Sequence, residues 1–507
     1  MRRARGFRPC VRRARLSGGA YRRTGTGAVL KDDLGKCRVL VVDLDGTLIH
    51  SDMLFESFWS ALGRDWRTPF AALRALATGR AALKRRLAAA ADHDPAALPY
   101  NGAVLDYARN WRSAGGRVVL VSAADDGLVQ RVAAHLGLFD EAHGSDGQRN
   151  LKGPAKSRFL TERYGTKGYA YIGDSRADLP VWKSAGRAVT AGAGRGLRRQ
   201  VDGLGGRIEH LPAPEGGAWA ILRALRPHQW LKNILVFMPM LAGHHFSTAV
   251  ALQSALAFLS FCLVASCVYI LNDLLDLTAD RAHPRKCRRP LASGALPIRL
   301  GTAMAPALLF AGLAVALTLG PLFVLVMLGY FILTTLYSLW LKRLVVADIC
   351  TLAVLYTTRI LAGAVATGLP LSVWILAFAI FFFLSLAAVK RQAELVDSAV
   401  RGQLSAAGRG YHADDLTLVA QMATAAGYVS VLVMALYLNS PAVQEIYSRP
   451  SVLWGICLVL LYWISNMVMV THRGGMDDDP VVYAVKDRTS QICILLVIAC
   501  AVGAALT

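Results

Sequence analysis

Three aspartates, Asp273, Asp276 and Asp280, stand at i, i+3 and i+7, with Asn272 one turn before Asp276. At 3.6 residues per turn this spacing predicts that all four project from one face of a helix. An apolar run from Ala249 to Leu271 leads into them. Carboxylates gathered at the end of a membrane helix repel one another unless a cation neutralises them. The hard divalent ion that takes oxygen ligands together with substrate phosphates is Mg²⁺. Basic side chains follow at Arg281, Arg285, Lys286, Arg288 and Arg289. The plain alternative, a solvated charged helix end, does not account for the spacing, the Asn and the basic tail together.

A second set lies far upstream. Asp43 and Asp45, in Val42-Asp43-Leu44-Asp45-Gly46-Thr47, end a short apolar run and enter a Gly turn. Both project to one side, so one can attack phosphorus while the other passes a proton to the leaving oxygen. Ser122, after Val118–Val121, can hydrogen-bond a phosphoryl oxygen. Lys156 can neutralise phosphate and nucleophile; Lys152 competes for that role, and the Gly-x-x-Lys spacing favours Lys156. Asp174 and Asp178, in Gly173-Asp-Ser-Arg-Ala-Asp, supply a metal carboxylate and its supporting partner.

The elements that must position these groups differ in kind. The chain has 507 residues, 54% of them hydrophobic, and runs long enough to span a bilayer fill only its second half. Strands near 38–42, 118–121 and 169–172 alternate with helical segments, which predicts a parallel sheet with helices on both faces and a site at the strands' carboxyl ends. Residues 53–98 read as a small helical insert, and 191–217, rich in Gly, Arg and Pro, as a linker. Nine apolar spans follow near 231–243, 252–271, 300–318, 320–340, 347–368, 371–389, 416–438, 451–471 and 489–506. Lys and Arg concentrate in the loops after the even spans, which puts the N-terminus and those loops in the cytoplasm and the C-terminus outside.

The net charge of +22 does not point to nucleic acid. Much of it lies in the first 23 residues and between apolar spans, without interleaved aromatics for base stacking; anionic lipids and phosphates fit it better. The Arg-rich start lacks the apolar segment of a secretory signal and is expected to be a disordered cytoplasmic tail or an over-extended translation start. The nine cysteines form no CxxC pair and read as small buried side chains.

The set Asp43-x-Asp45-Gly-Thr, Ser122, Lys156 and Gly173-Asp174-x-x-x-Asp178 resembles the haloacid dehalogenase superfamily over roughly residues 37–212. The resemblance implies a Rossmann-type α/β domain with a small helical cap, about 53–100, that governs substrate choice. It further implies Asp43 as nucleophile, Asp45 as general acid/base, and Mg²⁺ on the Asp43 carboxylate, the Asp45 carbonyl and Asp174.

The Asn272-Asp-x-x-Asp-x-x-x-Asp280 motif, followed by His283-Pro284-x-Lys286-x-x-Arg289-Pro-Leu-Ala-Ser-Gly294, resembles the UbiA superfamily of membrane prenyltransferases. That implies an all-α polytopic domain of about nine transmembrane helices around a cavity, with Mg²⁺ and a donor diphosphate on the first Asp-rich motif. Ordinary members carry a second such motif after the sixth span. Here that region reads Val389-Lys390-Arg391-Gln-Ala-Glu394-Leu-Val-Asp397, two cations and a glutamate in place of aspartates. The change favours a donor with extra phosphate read directly by Lys and Arg. With Arg226-Pro-His-Gln-Trp-Leu-Lys232-Asn233, Tyr337-Ser-Leu-Trp-Leu-Lys342-Arg343, Asp348 and Arg359, it resembles the decaprenyl-phosphate phosphoribosyltransferase branch.

That branch implies phosphoribosyl pyrophosphate (PRPP) as donor and a polyprenyl phosphate as acceptor. Asp273, Asp276 and Asp280 would bind Mg²⁺ and diphosphate, with Asn272 on the donor. Lys232, Asn233, Lys286, Arg289, Tyr337, Lys342, Arg359, Lys390, Arg391 and Glu394 are the substrate-binding candidates. Positive-inside anchoring is the plainer reading of Lys342, Arg343, Lys390 and Arg391. A charge within a span needs a partner, and Asp348, three turns from Arg359 on one face, is one. Asp477-Asp-Asp479 reads as loop, and Lys486 and Arg488 as weaker candidates.

The resulting expectation is a bacterial inner-membrane enzyme in four parts: a tail (1–36), a hydrolase domain (37–212), a linker with an amphipathic lead-in (213–230) and a transferase domain (231–507). The transferase would make polyprenylphosphoryl-5-phosphoribose and the hydrolase would remove its 5-phosphate. Its partners are a membrane lipid, polyprenyl phosphate, and a phosphorylated sugar donor, with no nucleic acid and with room for a homo-oligomer. Two alternatives stand beside it: transfer of a polyprenyl group to an aromatic or other acceptor, and a hydrolase-like part that serves only as a tether.

Overall fold

Four consecutive buried apolar residues, Val39–Val42, form the strand β1 about which the α/β part is organised. Residues 37–146, 150–212, 216–400, 402, 409–476 and 479–505 are described in this computed structural model. The Arg-rich tail, Arg401, Asp477, Asp478 and part of the linker lie outside the described residues. With β2 (Arg117–Asp125), β3 (Glu141–Ser145), β4 (Tyr169–Gly173), β5 (Arg187–Ala191) and β6 (Arg207–Leu211), β1 makes an all-parallel sheet in the order β3-β2-β1-β4-β5-β6.

The period-2 alternation of strands builds two cores. Leu40, Val42, Leu120 and Ile172 pack on one face, and Val39, Val41, Val119, Tyr169 and Tyr171 on the other. The three expected strands are the central ones, β2-β1-β4. Sequence reading missed β3, β5 and β6, whose segments (EAHGS, RAVTA, RIEHL) mix polar with apolar residues. The second strand also runs past Ser122, which lies inside β2 rather than after it.

The insert after β1 is helical: Met53–Arg64, Thr68–Thr78 and Arg80–Ala90, then a 3₁₀ turn at Pro95–Ala97. Asp52 caps the first helix by accepting from the Leu54 N–H at 2.9 Å.

Among the described residues, eight helices are long and apolar enough to cross a membrane: Thr248–Leu275, Ile298–Leu317, Pro321–Leu339, Ala347–Thr367, Val373–Val400, Ala413–Leu438, Pro450–His472 and Arg488–Ala505. The expected first span is instead a 3₁₀ segment, Pro227–Phe237, followed by the short helix Met238–Ala242. Close helix packing uses glycine: a Cβ on Gly363 would strike the Val236 backbone, and one on Gly427 the Ile464 side chain.

The chain divides into two compact units. One takes in the residues up to Leu225 together with Ile270–Met304; the other takes in Arg226–Tyr269 and the residues from Ala305 on. The Asp-rich stretch therefore packs with the α/β domain, although the sequence reading assigned all of 231–507 to the membrane part.

Candidate active sites

The strand order explains how distant residues meet. β2 and β4 flank β1, with Val42 level with Leu120 and Ile172, so Ser122, Asp43 and Asp174 emerge side by side at the carboxyl edge. Asp43 Oδ1 accepts from the Leu44 N–H at 2.8 Å and lies 2.9 Å from the buried Lys156 Nζ. Lys156 donates to the Tyr171 hydroxyl at 3.0 Å, and that hydroxyl donates to Asp178 at 2.8 Å. Asp178 also accepts from the Ser175 N–H and hydroxyl, at 3.1 and 2.9 Å. Tyr171, unremarked in the sequence, thus links the lysine to the second acidic partner; its only sequence signal was a place in an apolar strand.

Asp43, Asp174 and Asp178 are the one trio of carboxylates among the described residues whose ligand atoms lie within 4.8 Å of one another. Burial, then Asp43 and Asp178, push the Asp174 carboxyl up to about 8. Burial also raises Asp43, against the opposing pull of Lys156. Acidic oxygens so crowded fit a hard divalent cation. Gly46 permits the approach, for at φ +72° it brings its loop so near Asp174 that a Cβ would collide with that carboxylate. Within this trio Asp178 is already engaged by Tyr171 and Ser175, so Asp43 and Asp174 are the carboxylates whose chemistry best fits Mg²⁺.

Asp45 sits apart from this trio. Its carboxylate accepts from the Met53 N–H at 2.8 Å, at the start of the cap. Desolvation, then the charge of Asp52, raise it well above the usual carboxylate range. Ser122 is fully buried and accepts from the Ala124 N–H at 3.0 Å. Lys84, on cap helix Arg80–Ala90, donates to the Ala123 carbonyl at 2.5 Å and to Asn150 at 3.1 Å, and its charge is felt by Asp45. Nothing in its sequence set Lys84 apart from Arg80, Arg85 and Arg86.

In the Asp-rich stretch the expected single helix face is broken. Helix Thr248–Leu275 ends before Asp276, which adopts φ −97°, ψ 15°, and a short helix Leu277–Ala282 follows. Asp273 and Asp280, both buried, converge on Arg289 at 3.1 and 2.6 Å, while Asp276 and Asn272 stay half-buried. Lys286 is exposed on the 3₁₀ turn Lys286–Arg288. Asp273 and Asp280 offer carboxylate oxygens of the kind Mg²⁺ takes, and here Arg289 neutralises both. Next to Asp280, Arg281 forms a buried bidentate pair with Glu56 of the first cap helix, at 2.5 and 3.2 Å, and donates to the Ala292 carbonyl at 3.1 Å. Glu56 also accepts from Ser51 at 2.6 Å. Neither Glu56 nor Arg281 stood out in sequence, since the two are far apart along the chain.

Within the second unit the candidates fall into three groups. Lys232 and Lys390 share Asp479, with Lys390 at 3.4 Å, and Lys232 lies over the Tyr356 ring. Burial opposes ionisation of Asp479, but Lys390 and Lys232 outweigh it and hold the carboxyl well below its usual value. The reading of the acidic run as mere loop is thereby corrected for Asp479, which also caps helix Pro480–Lys486.

Arg359 does not pair with Asp348. It donates to Asn233 and the Tyr330 hydroxyl, each at 2.9 Å, and to the Leu355 carbonyl, among the rings of Phe261, Tyr330 and Tyr356. One helix carries both residues, but the guanidinium finds closer acceptors across the packing.

Asp348 instead holds Arg391, at 2.5 Å, with Tyr411 and Arg409. Glu394 joins Arg391 and Arg409. Arg391 is wholly buried in this network, where the sequence reading had set it beside Lys390 as a phosphate reader. Tyr337 accepts from Arg409 at 3.2 Å, and Lys342 lies on the 3₁₀ turn Leu341–Arg343.

Two family models match the chain: "UbiA prenyltransferase family" over residues 233–474 and "haloacid dehalogenase-like hydrolase" over 40–183. A Sinorhizobium fredii protein, "Uncharacterized protein y4nM", is 38% identical over 89% of this chain and 88% of its own length. "Nodulation protein NoeC" of Azorhizobium caulinodans is 39% identical, covering 54% of this chain and 89% of its own length. "Decaprenyl-phosphate phosphoribosyltransferase" of Mycolicibacterium smegmatis is 32% identical, covering 56% of this chain and 91% of its own length.

Proposed function

We propose, for a chain that belongs to the UbiA prenyltransferase family and carries a haloacid dehalogenase-like hydrolase domain ahead of it, two successive reactions on a bacterial inner-membrane lipid. The membrane part transfers 5-phosphoribose from PRPP to a polyprenyl phosphate; the hydrolase part then removes the 5-phosphate. The observation that carries the first step is the Lys232–Asp479–Lys390 group, two lysines on one carboxylate beside the position where an ordinary family member brings further aspartates. Such a pair can read a phosphate that a prenyl diphosphate lacks. The likeness to proteins named decaprenyl-phosphate phosphoribosyltransferase supports the same substrates.

In the transfer, an oxygen of the lipid phosphate attacks C1 of the ribose. The bond from C1 to the diphosphate breaks, and diphosphate leaves with its electron pair. Asp273, Asp276 and Asp280 are assigned to Mg²⁺ and diphosphate, Asn272 to the donor, and Lys232, Lys286, Arg289, Tyr337, Lys342 and Lys390 to phosphates. Mg²⁺ would supply charge neutralisation on the leaving group. Arg359, Asn233, Arg391 and Glu394 hold the framework.

In the hydrolase, Asp43 attacks phosphorus and the ribose 5-oxygen departs with a proton from Asp45. Water, giving its proton to Asp45, then opens the aspartyl phosphate and releases inorganic phosphate. Ser122 and Lys156 hold the phosphoryl oxygens. We place this domain in the cytoplasm and the C-terminus outside. At about 2.0 Å per residue for the 3₁₀ segment and 1.5 Å for the helix after it, Pro227–Ala242 reaches about 30 Å, the thickness of the hydrocarbon core.

A second reading, prenyl transfer to an aromatic or other acceptor, is favoured by the family description itself. Full-length protein with Mg²⁺, polyprenyl phosphate and ribose-labelled PRPP should move label into the lipid fraction. Label that enters only from a polyprenyl diphosphate would establish the second reading instead. Phosphate release that Asp43→Asn leaves unchanged would reduce the hydrolase part to a tether.

A further inference from the structure

Among the described residues, cap helix Thr68–Thr78 carries an apolar face that nothing covers. Trp66, Phe70, Leu73 and Leu76 are 59%, 63%, 65% and 47% exposed, and among the described residues between 37 and 212 they are the exposed large hydrophobics. Phe70, Leu73 and Leu76 follow one another at intervals of three on the helix, and Trp66, in the turn before it, packs edge to face on Phe70 at 6.3 Å. A soluble domain rarely gathers its exposed apolar groups in one place without a partner for them.

The charge around the stripe identifies the partner. Residues 66–91 contain no Asp or Glu but six cations: Arg67, Arg74, Arg80, Lys84, Arg85 and Arg86. Aromatic and Leu side chains beside Arg and Lys are the composition of a helix lying in the headgroup region of an anionic bilayer.

Contacts of the preceding helix set the level. Trp59 donates through Nε1 to Thr302 Oγ1 at 2.8 Å, in the second turn of the membrane-length helix Ile298–Leu317. Gly63 abuts the carbonyl of Leu275, the last residue of Thr248–Leu275, at 3.7 Å from where a Cβ would stand. The exposed stripe thus begins just after a helix that touches the ends of two membrane-length helices.

We propose that Thr68–Thr78 is an interfacial anchor: Trp66, Phe70, Leu73 and Leu76 enter the acyl boundary of an anionic membrane, and Arg67, Arg74 and Arg80 take its headgroup phosphates. The helical insert whose first residue, Met53, donates to Asp45 then rests on the surface where a lipid-linked phosphomonoester would arrive. That last consequence rests on the proposed phosphatase reading; the anchoring does not.

The test uses full-length protein in nanodiscs of phosphatidylcholine, with and without phosphatidylglycerol. Trp66 emission, taken as the difference from Trp66→Phe, should be quenched by lipids brominated on the acyl chain. Amides of Thr68–Thr78 should exchange on the order of tenfold more slowly in the anionic discs, the scale expected of a few cations at such a surface. Joint Phe70→Asp and Leu73→Asp substitution should abolish both effects. An unquenched Trp66, or protection that ignores lipid charge and grows with protein concentration, as a second copy would give, overturns the anchor. The double variant should also slow phosphate release from a disc-embedded phosphomonoester lipid about tenfold while p-nitrophenyl phosphate is hydrolysed as before. Absence of any hydrolysis by the unmodified chain would defeat the phosphatase reading alone, because quenching needs no chemistry.

Discussion

Lys156 shows how much one buried residue can carry. It touches Asp43 at 2.9 Å and Tyr171 at 3.0 Å, so one cation faces the proposed nucleophile and, through a hydroxyl, Asp178. Asp43→Asn removes the attacking oxygen but keeps the shape, and should cut phosphate release at least about a hundredfold. The labelled lipid should still form and should keep its 5-phosphate, as mass spectrometry of the lipid fraction would detect. At Asp479 the expected outcome is different. Asp479→Asn leaves the buried Lys232 without its counter-ion, and removing one member of a buried pair costs about 3 kcal/mol. A lowered unfolding midpoint and a raised KM for the donor would be measured together; an unchanged midpoint would mean that Lys232 finds another acceptor.

At the scale of elements, the pair Glu56–Arg281 joins the first cap helix to the short helix that carries Asp280. Both side chains are almost fully buried and doubly hydrogen-bonded, unlike an exposed ion pair of negligible worth. Glu56→Gln and Arg281→Lys in a double-mutant cycle should show a coupling of about 2 kcal/mol or more in chemical unfolding. The other two cap helices act differently. Thr68–Thr78 offers its apolar stripe outward, and Arg80–Ala90 sends Lys84 to the Ala123 carbonyl beside Ser122. Lys84→Ala should raise KM for a substrate that carries a phosphodiester beside its phosphomonoester more than for p-nitrophenyl phosphate, because loss of a cation weakens the larger charge more. Steady-state kinetics on the two substrates would decide it.

At the scale of the molecule, the stretch 270–304 belongs by packing to the α/β unit although it lies between membrane-length helices in the chain. A fragment of residues 37–212 therefore lacks the partner of Glu56 and should unfold several degrees below the same domain in the full chain, on the scale of about 1–2 kcal/mol lost from a domain of this size. Both proposed reactions need Mg²⁺, so chelation should stop label transfer and phosphate release alike. Restored Mg²⁺ should recover them, and a metal-independent release of phosphate would contradict the Asp43/Asp174 assignment.

The sequence by itself determined the two folds and pointed to several residues that the fold brings together at one edge of the sheet. Asp43, Asp45, Lys156 and Asp174 stand in local motifs, and apolar runs report bilayer crossing directly, because both signals are encoded within a few residues. It did not reveal β3, β5 and β6, whose strands are held by neighbours rather than by their own apolar pattern. It overextended the helix through Asp276, since periodicity is blind to a single residue leaving helical φ/ψ. Only the tertiary structure decided the partners of the charges: Arg359 with Asn233 and Tyr330, Arg391 with Asp348, Asp479 with Lys232 and Lys390, Glu56 with Arg281. A buried charge must be neutralised by whichever group packing brings nearest, and that group is set by the fold, not by distance along the chain.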